Sequence, residues 1–132
     1  MRNYSRMVCV VALMLFTLPL YGADELVRSL DVKIEGARGR ANQPTVVEKQ
    51  EELEKAVGNK ETAESIAKLV DFSKEKVVVF RWSGSGQDKI TASEKEGEVV
   101  FQYKPGLTRD LRPHGLVFAI KKDAKFQVVT GR

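Results

Sequence analysis

The sequence predicts an α+β domain, a small antiparallel sheet of about five to six strands, open or curled toward a barrel, with one helical hairpin packed on it. Two observations lead there. Apolar residues recur at helical spacing only between Leu53 and Val70, among glutamates and lysines. From Lys76 onward the period shortens to that of strands, in runs broken by turn residues.

Ahead of the domain, Arg2 and Arg6 precede an uncharged apolar run from Met7 to Leu20, then Pro19, Gly22 and Ala23 close the segment. That is the order of a cleavable secretory signal. A membrane-spanning helix needs roughly 20 apolar residues. This run is shorter and meets Asp24 and Glu25 at once. The expected division is a signal peptide at 1–23 and a single globular domain at 24–132, exported to a periplasmic or extracellular address with no stable membrane span after cleavage. Cys9 is the only cysteine and lies in the apolar run, so cleavage leaves a domain without disulfide, thiolate nucleophile or cysteine metal site. Roughly 110 residues bury enough surface for one core. The formal charge of +4 falls by the two arginines of the signal, and so near-neutral a balance gives no reason to propose nucleic acid as a partner.

Along the domain, Leu30, Val32 and Ile34 alternate with Asp31, Lys33 and Glu35, the pattern of a strand with one dry face. Residues 36–44 lack periodicity and read as a loop, after which Thr45–Val47 adds a short strand. Leu53, Ala56 and Val57 define a first amphipathic helix that Gly58 is suited to end. Asn59 can then cap a second helix with Ala63, Ile66, Ala67 and Val70 on its dry stripe, the two forming a hairpin or one broken helix. Val77, Val78, Val79, Phe80 and Trp82 are apolar on both faces, as in a strand covered on both sides. Ile90–Ser93, Val99–Tyr103, Leu116–Ile120 and Phe126–Val129 complete the expected strands.

Two connections carry chemistry-bearing side chains. The first, Trp82-Ser83-Gly84-Ser85-Gly86-Gln87-Asp88, combines two glycines with hydrogen-bonding groups, and its backbone N–H groups are suited to an anion or a peptide carbonyl. A plain hairpin turn, with Gln87 and Asp88 satisfying backbone groups, fits the same residues. The second spans Lys104 to Gly115, where Arg109 and Arg112 supply planar forks for carboxylates or phosphates and His114, the only histidine, offers an imidazole. Its bland alternative is bracing, with Arg109 or Arg112 paired to Asp88 or Asp110. A serine hydrolase would place Ser83 or Ser85 beside His114, with Asp88 or Asp110 orienting the ring. No metal or other cofactor is expected, since a lone histidine leaves only scattered carboxylates.

The segment Val70-Asp71-Phe72-Ser73-Lys74-Glu75-Lys76-Val77-Val78 resembles the start of the C-terminal domain of PrcB-like protease-complex subunits. There a Val-Asp-Phe-Ser-Lys segment leads into a hydrophobic strand and a glycine-containing loop. The Glu51-Glu52-Leu53 helix stands where that family also has an acidic, leucine-bearing helix. Residues 37–44, 82–88 and 108–114 together look like those of a group of exported bacterial proteins of unassigned function. The resemblance implies an exported binding partner that stabilises a protease complex, with a glycine loop of the kind some inhibitors insert into a protease cleft. Ser83-Gly84-Ser85-Gly86-Gln87-Asp88 departs from the family's Pro-Thr-Gly-Gly-Tyr-like turn.

The functional expectation is a non-enzymatic binding module. Trp82, Ser85, Gln87, Asp88, Arg109, Asp110, Arg112 and His114 form its candidate surface, facing a protein partner or an anionic envelope ligand, with Trp82 as an apolar anchor. The small hydrolase and a purely structural envelope component are the alternatives.

Overall fold

The computed structural model describes residues 25–34 and 39–131. The expected signal segment lies outside them, as do Glu35 of the expected first strand and Gly36, Ala37 and Arg38 of the first loop. The described chain forms β1 (Val27–Leu30), β2 (Thr45–Val47), a 3-10 turn (Gln50–Glu52), α1 (Leu53–Val57), α2 (Lys60–Leu69), β3 (Glu75–Gly84), β4 (Lys89–Lys95), β5 (Glu98–Lys104), β6 (Arg112–Lys121) and β7 (Phe126–Thr130). No described helix is long and apolar enough to cross a membrane.

The α+β class holds, with its strands divided between two sheets. One is antiparallel in the order β1-β6-β3-β2, and the other runs β4-β5-β7. Neither closes into a barrel, and β5 and β7 pair in parallel, which the expected antiparallel meander did not contain. β6 is flanked on both edges by β1 and β3, so its successor β7 cannot form a hairpin with it and instead joins the edge of β5 in the other sheet.

The two-sided apolar strands form the middle layer. Val77, Val79, Val117 and Ala119 point toward the helices and meet Leu53, Val57 and Ile66. Val78, Phe80, Trp82, Phe118 and Ile120 point the other way, onto Ile90, Val99 and Phe101 of the second sheet. Phe80 meets Phe101 edge-on at 5.0 Å and Phe118 at 5.8 Å between ring centroids, the favoured geometry for aromatic pairs. Burial on both faces explains the loss of alternation in β3 and β6.

Two helices, and not one broken rod, cover the first sheet. Gly58 ends α1 with φ 76° and donates its N–H to Glu54 O at 2.8 Å. Asn59 then caps α2, its side chain accepting from Thr62 N at 3.2 Å. The first strand pairs earlier than the alternation suggested, over Val27–Leu30 against Val117–Ile120. Val32 and Ile34 lie beyond the ladder yet still pack on the helix-side core, so the alternation identified the dry face and not the paired residues.

Strand register gathers the two chemistry-bearing connections. β3 ends at Gly84 directly opposite Arg112, the first residue of β6. β4 begins at Lys89 opposite Lys104, the last residue of β5. Residues 85–88 and 105–111 therefore leave the sheets at the same end of the molecule.

Candidate functional site

The centre of this end is Asp88, the buried charged residue of the described chain, 8% exposed. Its Oδ2 accepts from Trp82 Nε1 at 3.0 Å and from Tyr103 Oη at 3.1 Å, while Oδ1 accepts from Gly106 N at 2.7 Å. Burial pushes this carboxyl upward, but the three hydrogen bonds and the neighbouring His114 outweigh it and hold the group below the usual carboxylate range. Tyr103 responds in the opposite sense, its phenol raised by burial and by the Asp88 carboxylate it faces.

A second set of contacts ties the loops at their tips. Ser85 Oγ hydrogen-bonds Thr108 Oγ1 across the gap. Asp110 accepts from Gly86 N at 3.1 Å through Oδ1 and pairs with Arg112 Nε at 2.6 Å through Oδ2. Hydrogen bonds from Thr108, the Gly86 amide and Arg112 hold the Asp110 carboxyl far below its ordinary value. His114 stacks on Trp82, ring centroids 4.8 Å apart and planes 15° from parallel. Its Nε2 lies 2.7 Å from the Ser85 carbonyl oxygen, which can only accept, so Nε2 carries the hydrogen.

Glycine at 84 and 106 is dictated by how closely these groups approach. A Cβ on Gly84 would overlap the Asp88 carboxylate, and one on Gly106 would lie 2.6 Å from Ser85 Oγ and 2.7 Å from Gln87 Cβ. The amides that the sequence offered to an anion are occupied from within. Gly86 N goes to Asp110, Gln87 N to Ser85 Oγ at 3.2 Å, Asp88 N to Ser85 O at 3.0 Å and Gly106 N to Asp88.

Of the residues expected to form a site, Trp82, Ser85, Asp88, Asp110, Arg112 and His114 converge in one network of mutual contacts. Gln87 and Arg109 stand beside it with exposed side chains. Two expectations are corrected. Trp82 is 3% exposed and cannot serve as a surface anchor. The long connection is shorter than Lys104–Gly115, because residues 112–115 are already β6. Of the arginine–carboxylate braces considered, Arg112 with Asp110 is formed, whereas Asp88 is served by an indole, a phenol and an amide.

Sequence reasoning passed over Tyr103, Gly106, Thr108, Leu107 and Leu111. Alternation in β5 marks Tyr103 as facing inward beside Phe101. Leu107 and Leu111 carried a readable signal, two large apolar residues in an otherwise polar, aperiodic loop. They are 95% and 78% exposed. Among the described residues no group of three potential metal ligands gathers. No family model matches the chain, and neither does any curated protein or solved structure.

Proposed function

We propose that the protein is an exported, non-enzymatic recognition module that presents its braced loop end to a ligand of the cell envelope. One observation carries the reading: Leu107 and Leu111 are exposed on a loop whose base is fastened at Asp88, Ser85 and Asp110. Large apolar side chains contribute little to folding when they stay in water, whereas burying one elsewhere is worth about 1.5–3 kcal/mol. A loop that is already ordered loses little further freedom on binding.

The hydrolase alternative requires an imidazole nitrogen on a serine hydroxyl. Here Nε2 of His114 addresses the Ser85 carbonyl, and the Ser85 hydroxyl is engaged by Thr108.

The reading is tested by sedimenting the purified protein with an envelope fraction, comparing wild type with the L107S/L111S double variant. Wild type should sediment, and the variant should lose about tenfold or more in apparent affinity with an unchanged thermal melt. Failure of the wild type to sediment, or equal sedimentation of both, would reject recognition through this loop and favour a purely structural component.

A further inference from the structure

The cations around the two leucines say more about the ligand. Lys89 and Lys104 are direct cross-strand partners in β4 and β5, and both are exposed. Residues so paired hold their Cβ atoms roughly 5 Å apart on one face, and like charges placed there are destabilising. Among the described residues neither lysine joins an ion pair. The next residues on that outer face are Thr91 and Gln102, both neutral. Asp88 next door turns inward to Trp82, Tyr103 and Gly106, and Asp110 is occupied by Arg112 and Gly86. Arg109, midway between the leucines, is exposed and joins no ion pair among the described residues. Among the described residues, this end thus carries three cations outside any ion pair beside two highly exposed apolar side chains.

We propose that the occupant of this surface is an anionic phospholipid bilayer, which the loop touches peripherally. The inference rests on the recognition reading above and names its ligand. Charge complementarity asks for anions beside Lys89, Lys104 and Arg109, and the leucines ask for hydrocarbon within reach of those anions. A bilayer supplies both at once, headgroup phosphates outside and acyl chains a few ångströms deeper. Stable attachment of a peripheral protein takes two signals of this kind, since neither a small apolar insertion nor a few basic residues suffices alone. The arrangement in the chain matches that layering. Both lysines sit at strand ends, while the leucines belong to the loop that continues past them. A cleft in an acidic protein would also meet these charges, but it would favour side chains grouped into one patch. Leu107 and Leu111 instead stand almost fully in water on either side of Arg109.

The test uses the purified protein without the apolar signal segment, residues 24–132, with protein-free vesicles, one set of phosphatidylcholine alone and one containing phosphatidylglycerol. Sedimentation with the anionic vesicles and not with the neutral ones is expected, weakening severalfold as salt rises and the Debye length falls from about 10 Å toward 3 Å. L107S/L111S should weaken binding by about tenfold or more, and K89Q/K104Q by severalfold. Thermal melts of both double variants confirm the fold. Absence of vesicle binding overturns the proposal, as does equal binding to neutral vesicles or binding indifferent to the leucine substitutions. Should the leucine-dependent interaction with the envelope fraction persist while vesicles capture nothing, the lipid assignment fails and the recognition reading stands, with an acidic protein as the ligand.

Discussion

Removing the Asp88 carboxylate should cost the fold about 3–4 kcal/mol, and the geometry says why the figure is not larger. Three donors converge on it: Trp82 Nε1 and Tyr103 Oη on Oδ2, and Gly106 N on Oδ1. A hydrogen bond to a charged group is worth about 1.5–3 kcal/mol, and a stranded buried donor about 1–3. The Trp82 indole is 3% exposed and finds no substitute in Asp88→Ala. Tyr103 and Gly106 are only half-buried, so water can partly replace what they lose. Asp88→Asn is the sharper probe. One amide oxygen can still serve Trp82 and Tyr103, but the NH2 group then faces the Gly106 N–H, donor against donor. About 2 kcal/mol should be lost, less than for alanine. Urea unfolding measures both. With a slope of about 1.5 kcal/mol per molar, 3 kcal/mol moves the midpoint down by about 2 M. A shift below about 0.7 M for Asp88→Ala, or an asparagine variant as unstable as the alanine one, would refute the view that this carboxylate fastens the loops.

Acid should loosen the molecule at both ends of β3. Asp88 and Asp110 at the loop end, and Glu75 at the opposite end where it pairs with Arg28, have carboxyls held below their ordinary values in the folded protein, so the stability they contribute is complete above an unfolded pKa of about 4 and is lost as pH falls through the lowered values. Midpoints measured at pH 7, 4 and 2.5 should fall toward acid for wild type and fall less steeply for Asp88→Asn; parallel curves would remove Asp88 from the acid response. Gly106→Ala should destabilise by about 1–3 kcal/mol, because its methyl would lie 2.7 Å from Gln87 Cβ and 2.8 Å from the Gln87 carbonyl carbon. Unchanged thermal stability in that variant would show that the loops are free to part.

Much of the architecture was legible because it follows from local rules. Gly58 and Asn59 mark the break between α1 and α2 with the residue types that a left-handed cap and an N-cap demand. The apolar run of β3 announced cover on both faces, and both covers exist. What failed depends on long-range pairing. Alternation at residues 30–34 identified a dry face but held no information on where β6 would lie, so the paired segment fell at Val27–Leu30. Arg112-Pro113-His114-Gly115 carries turn residues and was read as loop, yet it extends β6 along β3. Proline is tolerated there because β1 covers β6 only over residues 117–120, leaving 112–116 as an edge. The partners of Asp88 were hidden for a related reason. An arginine advertises itself as a carboxylate's partner in any sequence, while an indole N–H, a phenol and a glycine amide become partners only when the fold brings them together.

The same network decides which residues are left to meet a ligand. Among the described residues, the polar groups of Trp82, Ser85, Asp88, Asp110, Arg112 and His114 already have partners within the protein, while the exposed Ser83 and Gln87 side chains stand outside that network. A ligand addressing Asp88 or Asp110 would have to displace hydrogen bonds of comparable strength and would leave their present donors stranded, so its net gain would be small. Side chains outside the network carry no such penalty. Leu107 and Leu111 give up only water when covered, and Lys89, Lys104 and Arg109 exchange water for a counter-charge without breaking a protein contact. On the proposed reading, bracing and recognition would be divided between neighbouring residues of this end. The carboxylates and the histidine fix the geometry, and any selectivity would fall to the leucines and Arg109 of the braced loop and to Lys89 and Lys104 at the adjoining strand ends.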